Sequence, residues 1–102
     1  MAQRQRRLQL HQLLKTFVDN VYFQPPTNVK LEYPCIVYKR DFADNKFADD
    51  IVYDHRLRYA ITVIDPNPDS DIPDKVAAMP LSIFNRFFTV DNLNHDVYNV
   101  YF

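Results

Sequence analysis

Tyr59-Ala60-Ile61-Thr62-Val63-Ile64-Asp65-Pro66-Asn67-Pro68-Asp69-Ser70-Asp71-Ile72-Pro73-Asp74-Lys75 is the stretch that decides the fold class. Its first half continues a β-branched and aromatic run that begins at Ile51. Leu57, Tyr59, Ile61 and Val63 alternate with Arg58, Ala60, Thr62 and Ile64, the period-two pattern of a strand with one buried face. Two prolines and a series of Asp and Asn residues between 65 and 70 stop that strand. Asp71 then stands as the expected N-cap, with Pro73 in the first turn and Asp74 at the capping-box position. The helix it opens, Ile72 to Met79, is closed by Pro80.

Moving toward the N-terminus, residues 41–50 (Asp-Phe-Ala-Asp-Asn-Lys-Phe-Ala-Asp-Asp) read as a loop, because four Asp in ten residues suit neither periodic structure. Leu31 to Lys39 reads as a strand, with Pro34 restricted to an edge or first position. From Arg6 to about Val21 the apolar residues Leu10, Leu13, Leu14, Phe17, Val18 and Val21 form the stripe of an amphipathic helix, ended by Pro25-Pro26. On the C-terminal side, Ile83–Val90 and Asp96–Phe102 form two strands joined by Asp91-Asn92-Leu93-Asn94. The expected order is α-β-β-α-β-β: an α+β domain with a four-stranded, mostly antiparallel sheet, an N-terminal amphipathic helix and a short second helix. Tyr98, Val100 and Phe102 share a strand face, so the apolar end is expected to be buried in the fold or against a neighbour.

The length of 102 residues supports one domain, 1–102, whose own core gives limited stability; association with other copies is a natural supplement. Glycine is absent, which excludes a P-loop, a Rossmann fingerprint and a glycine-flanked nucleophile elbow. It also leaves Asn and Asp to fill positions of positive φ. Charge is uneven about a net of −1: residues 1–30 sum to +4 and residues 41–74 to −6. Opposite signs in different regions suit head-to-tail contact or two different partners.

The chemistry of a catalytic or metal site does not assemble in this sequence. His11, His55 and His95 lack the spacing of a shared metal site, and Cys35, the single cysteine, sits in the apolar run Pro34–Tyr38 as a small hydrophobe. Asp54-His55 has no serine placed beside it as a nucleophile. Asp65, Asn67, Asp69 and Asp71 open like a calcium loop, but Ser70 stands where such a loop needs glycine and Val76 where it needs glutamate. Strand termination and helix capping account for those residues instead. No catalytic residue, metal or cofactor is expected. No apolar stretch reaches the ~20 residues of a membrane span, and no apolar segment follows the basic start, so neither a membrane partner nor a signal peptide is expected. Arg4, Arg6 and Arg7 in a chain of net −1 make a weak electrostatic footprint, so nucleic acid is not an expected partner.

Three segments carry a resemblance. The strand ending in Ile64-Asp65 with Asn67-Pro68-Asp69-Ser70 and Ile72-Pro73 behind it, the run Phe87-Phe88-Thr89-Val90-Asp91-Asn92-Leu93-Asn94-His95-Asp96-Val97-Tyr98, and Tyr33-Pro34-Cys35-Ile36-Val37-Tyr38 after a leucine-bearing helix resemble small tail-completion proteins of tailed phages. Together they span roughly residues 8–102, and all are fold-forming motifs. The resemblance implies a tail terminator, or tail-to-head joining protein. Such proteins form a ring, commonly a hexamer, that caps the tail tube and meets the head connector, without catalysis or cofactor. A head-completion or other neck adaptor shares this size and style. From a different class, a small nucleic-acid-binding regulatory module of a mobile element is the alternative. For the ring reading, the contact residues expected are Arg4, Arg6 and Arg7 on the helix, Phe42, Asp44, Phe47, Asp49 and Asp50 in the central loop, and Tyr98 and Phe102 at the end of the last strand.

Overall fold

The computed structural model describes residues 2–48 and 51–102, with side chains described from 5 to 41 and from 57 onward. The elements run α1 (Ala2–Lys15), β1 (Asn20–Phe23), β2 (Cys35–Ala48), β3 (Ile51–Asp65), α2 (Ile72–Ala77), β4 (Ser82–Val90) and β5 (Leu93–Tyr101). The strands form one five-stranded mixed sheet in the order β1-β2-β3-β5-β4, so the α+β class holds. The expected four strands become five.

The extra strand is where the expected N-terminal helix was drawn too long. Helix α1 stops at Lys15, and its last turn tightens through Phe17 N–H to Leu14 O at 2.9 Å. Asn20-Val21-Tyr22-Phe23 then pairs parallel to β2, from Asn20 opposite Cys35 to Phe23 opposite Tyr38. Val-Tyr-Phe favours a pleated surface, and Asp19-Asn20 are weak helix formers. The stripe itself pointed the right way: Leu10 and Leu14 are fully buried, and Leu13, Phe17, Val18 and Val21 pack against the same core.

Residues 41–48 are also strand rather than loop. Strand β2 runs on antiparallel to β3 as far as Ala48 opposite Ile51, with irregularities between Arg40 and Phe42 and between Lys46 and Phe47. Strand β5 accompanies β3 only from Arg58 to Asp65, and β1 accompanies β2 only from Cys35 to Tyr38. The far part of the β2–β3 hairpin is therefore a two-stranded arm. Its Asp-rich sequence lacks the alternation of a core strand, which is why it does not read as one. The long strands agree with a molecule of 51 × 25 × 23 Å.

The core lies between the helices and one face of the sheet. Leu10 and Leu14 of α1 and Ile72 and Val76 of α2, with Met79 just beyond it, cover Ile36, Tyr38, Leu57, Tyr59, Ile61, Val63, Tyr98 and Val100. The face predicted for β3 is thus the buried one. Phe102 packs against this cluster, and its N–H donates to Leu57 O at 3.0 Å.

Caps and turns follow the glycine-free composition with two adjustments. Asp71 holds the N-cap position but makes no side-chain capping bond; Ser70 Oγ accepts the Ile72 N–H at 3.2 Å. The β4–β5 turn is only Asp91-Asn92, with φ of 53° and 63°, and Val90 pairs directly with Leu93. Positive φ at both central residues matches the type I′ hairpin, with Asp and Asn standing in for glycine. Leu93 and Asn94, expected in that turn, lie in β5 instead, as does His95.

Candidate interaction surfaces

Strand β4 ends the sheet, so one of its edges faces no neighbouring strand. Along and beside it Leu81 is 52% exposed, Ile83 61%, Phe84 54%, Phe87 54% and Val90 50%. Register with β5 sorts these side chains by face. Phe84 and Phe87 lie opposite Tyr98 and Asp96, on the helix-covered side. Ile83, Arg86 and Phe88 lie opposite Asn99, Val97 and His95, on the open side. Apolar residues thus stand on both faces of this strand. The polar pair Asn85-Arg86 in the middle of the run was the available signal for an edge.

That pair sits at a bulge, where the β4–β5 register shifts between Phe84 and Arg86. The Asn85 amide donates to Asn99 Oδ1 at 2.8 Å, and the Asn99 amide donates to Asp41 Oδ2 at 3.1 Å. Asp41 Oδ1 in turn accepts Arg58 Nε–H at 3.0 Å, and this pairing holds the guanidinium in its charged form. Asp41 is itself the residue at the β2 irregularity. A polar chain therefore crosses β2, β3, β5 and β4, tying the base of the arm to the bulge of the edge strand. It was not legible in the sequence, because it joins side chains far apart in the chain. Beside it the Arg86 guanidinium lies 5.3 Å from the Phe88 ring centre, and Phe88 stacks on His95 at 4.5 Å.

On the opposite side of the molecule α1 is anchored by a polar contact inside the core. His11 Nδ1 lies 2.7 Å from the Tyr38 hydroxyl, which is fully buried. The Arg7 guanidinium acts on that hydroxyl too, pulling its pKa down, and sits 4.4 Å above the Phe23 ring. Burial, then the nearby Arg7 and Lys15 charges, lower the His11 pKa from 6.5. Burial raises the Tyr38 pKa against the opposing pull of Arg7. Arg7, expected at a protein contact, is thus engaged within its own fold.

The other expected contact residues fall in three places. Arg6 and Phe102 line one shallow groove with Gln9, Pro80, Leu81 and Tyr101. Tyr98 is buried, in edge contact with Phe84 at 5.5 Å, so it supports the exposed strand from beneath. The side chains of Arg4, Phe42, Asp44 and Phe47, and residues Asp49 and Asp50 altogether, lie outside what the structure describes.

No family model, no curated protein and no solved structure matches this chain. Among the described residues no three His, Cys, Asp or Glu side chains come close enough to hold a metal ion. Asp65 and Asn67 instead accept backbone N–H groups two residues on, from Asn67 at 2.8 Å and Asp69 at 3.0 Å. The thiol of Cys35 is fully buried, and desolvation followed by the Asp65 charge pushes its pKa to about 11, away from reactivity. No helix among the described residues is long and apolar enough to cross a membrane.

Proposed function

We propose that this chain is a structural, non-enzymatic virion protein: a ring-forming tail terminator that caps a tail tube and joins it to a head connector. The ring, a hexamer on the family resemblance, would assemble in the host cytoplasm and remain at the tail neck. The observation that carries this reading is the two-stranded arm. An isolated β-ribbon is marginal in water, so an arm built of long strands calls for a surface to rest on. An arm reaching from one subunit to a different surface on the next is a heterologous contact, the kind that closes rings. The uneven charge, basic before residue 31 and acidic between 41 and 74, favours the same head-to-tail order.

The test is native mass spectrometry and negative-stain electron microscopy of the purified chain, alone and with tail tubes. Rings of fixed subunit number seated at tube ends are expected. A chain that shifts DNA in a salt-dependent manner and never forms rings would favour the regulatory module instead. Shortening the arm by removing residues 44–54 should leave the core folded and abolish the rings.

A further inference from the structure

The exposed edge of β4 has a symmetry of its own. Around a centre between Asn85 and Arg86, the strand reads the same outward in both directions: polar at Asn85 and Arg86, aromatic at Phe84 and Phe87, apolar at Ile83 and Phe88. Leu81 and Val90, each about half exposed, flank the run. In a regular strand such a centre would put mates on opposite faces, because neighbouring residues alternate. The bulge removes that conflict. Asn85 reaches Asn99 on the open side, the side Arg86 also occupies, so mates 85/86, 84/87 and 83/88 each share a face.

We infer that β4 docks on β4 of a second copy of this chain, antiparallel and about a two-fold axis that passes between Asn85 and Arg86. Phe84 then meets Phe87 of the second copy on the helix side, and Ile83 meets its Phe88 on the open side. Arg86 falls opposite Asn85 of the second copy instead of opposite another Arg86, which avoids a directly opposed like-charge pair. The Asn85 amide nitrogen is already committed to Asn99, which leaves the Asn85 oxygen to accept from that guanidinium. Area points the same way. Five half-exposed apolar side chains, spread over both faces of the strand, offer roughly 400 Å² per copy, comparable with the ~300–600 Å² of the largest and often functional patch on a monomer. Two such patches give about 800 Å², and strand edges and polar rim carry the total to the ~1,200 Å² at which specific interfaces begin. The pair is isologous and closed, so it covers the β4 edge, which would otherwise template open-ended sheet growth. It does not rest on the ring reading, which concerns the arm.

Sedimentation velocity on the purified chain over a wide concentration series is the first measurement, and a reversible monomer–dimer equilibrium is expected. Phe84→Lys should weaken that equilibrium by more than tenfold while the chain stays folded, because the ring is half exposed and only its edge contact with Tyr98 is lost. Register is read by disulfide trapping with single-cysteine substitutions, Cys35 being buried. A mixture of Phe84→Cys and Phe87→Cys chains should give a cross-linked heterodimer. Either variant alone should not, since identical positions lie roughly 7–10 Å apart along the paired strands, beyond disulfide reach. A chain that stays monomeric at every concentration, or a dimer unaffected by Phe84→Lys, would overturn the proposal. So would trapping of each single variant with itself as readily as in the mixture.

Discussion

Replacing Tyr38 with Phe keeps the ring that touches His11, Phe23 and Tyr59 and removes only the hydroxyl. That hydroxyl is fully buried and joins α1 to the sheet through His11 at 2.7 Å, with the Arg7 charge acting on it as well. A neutral hydrogen bond contributes about 1 kcal/mol net, and one to a charged group about 1.5–3 kcal/mol. His11 and Arg7 are only partly buried and recover some hydration when the partner goes, so the expected loss is about 1–2 kcal/mol. For a domain of this size, that corresponds to a melting temperature lower by about 5–15 °C. Thermal melts followed by circular dichroism at about pH 8 measure it. The control is Tyr22→Phe, whose hydroxyl accepts only the exposed Glu32 N–H at 3.2 Å and should change stability by less than about 0.5 kcal/mol. If the two variants melt together, the hydroxyl does not anchor the helix and the account of α1 docking is wrong.

The same anchor predicts acid sensitivity: with the folded His11 pKa below 6.5, the unfolded chain binds more protons, so stability rises with pH through that window and is lost as pH falls below 6.5. His11→Gln should flatten that part of the pH–melting profile. Asp96 has the opposite sign for a carboxylate: burial first, and Asp74 second, raise its pKa, so its ionisation costs stability at neutral pH. Asp96→Asn should therefore melt higher than the parent near neutrality, with the gain vanishing in acid where both forms are neutral. Leu81 holds φ of 60° without being glycine, and Leu81→Gly should change stability by less than about 1 kcal/mol, since relief of the ~1–2 kcal/mol left-handed cost is offset by glycine's added chain entropy and by loss of the half-buried side chain; thermal melts check it. Removing residues 99–102 takes away the fully buried Val100 and the bonds from Tyr101 to Leu81 and from Phe102 to Leu57, and should prevent folding. Val100→Ala should cost about 1.5–3 kcal/mol, against less than about 0.5 for Val90→Ala at the half-exposed edge.

What could be read from sequence was whatever leaves a periodic trace along a single element. The buried face of β3, the stripe of α1, the start of α2 and the final hairpin all show it, since each buries one face against the core. Asn20–Phe23 escaped because four residues carry too little periodicity, and their apolar members also complete a helical stripe. The arm escaped because residues 41–50, with four Asp, carry no period-two alternation. The edge position of β4 depends on strand order, a property of the whole sheet. The polar chain from Arg58 to Asn85 depends on register, with partners up to 58 positions apart. The contact residues expected on the helix were chosen by charge, and charge alone does not reveal that Arg7 is held over Phe23.

Strand β5 follows β4 in the chain, yet it stands between β3 and β4 in the sheet. Until it emerges, β3 keeps a bare edge and β4 has no partner on either side. The aromatic hairpin half Ile83–Phe88 is then presented to whatever lies nearby. Closure is thus a single event that docks two ladders together, one to β3 and one to β4. A nascent chain stalled before Leu93 would hold its stickiest segment uncovered, which makes that interval the one in which a holding chaperone has most to offer this protein.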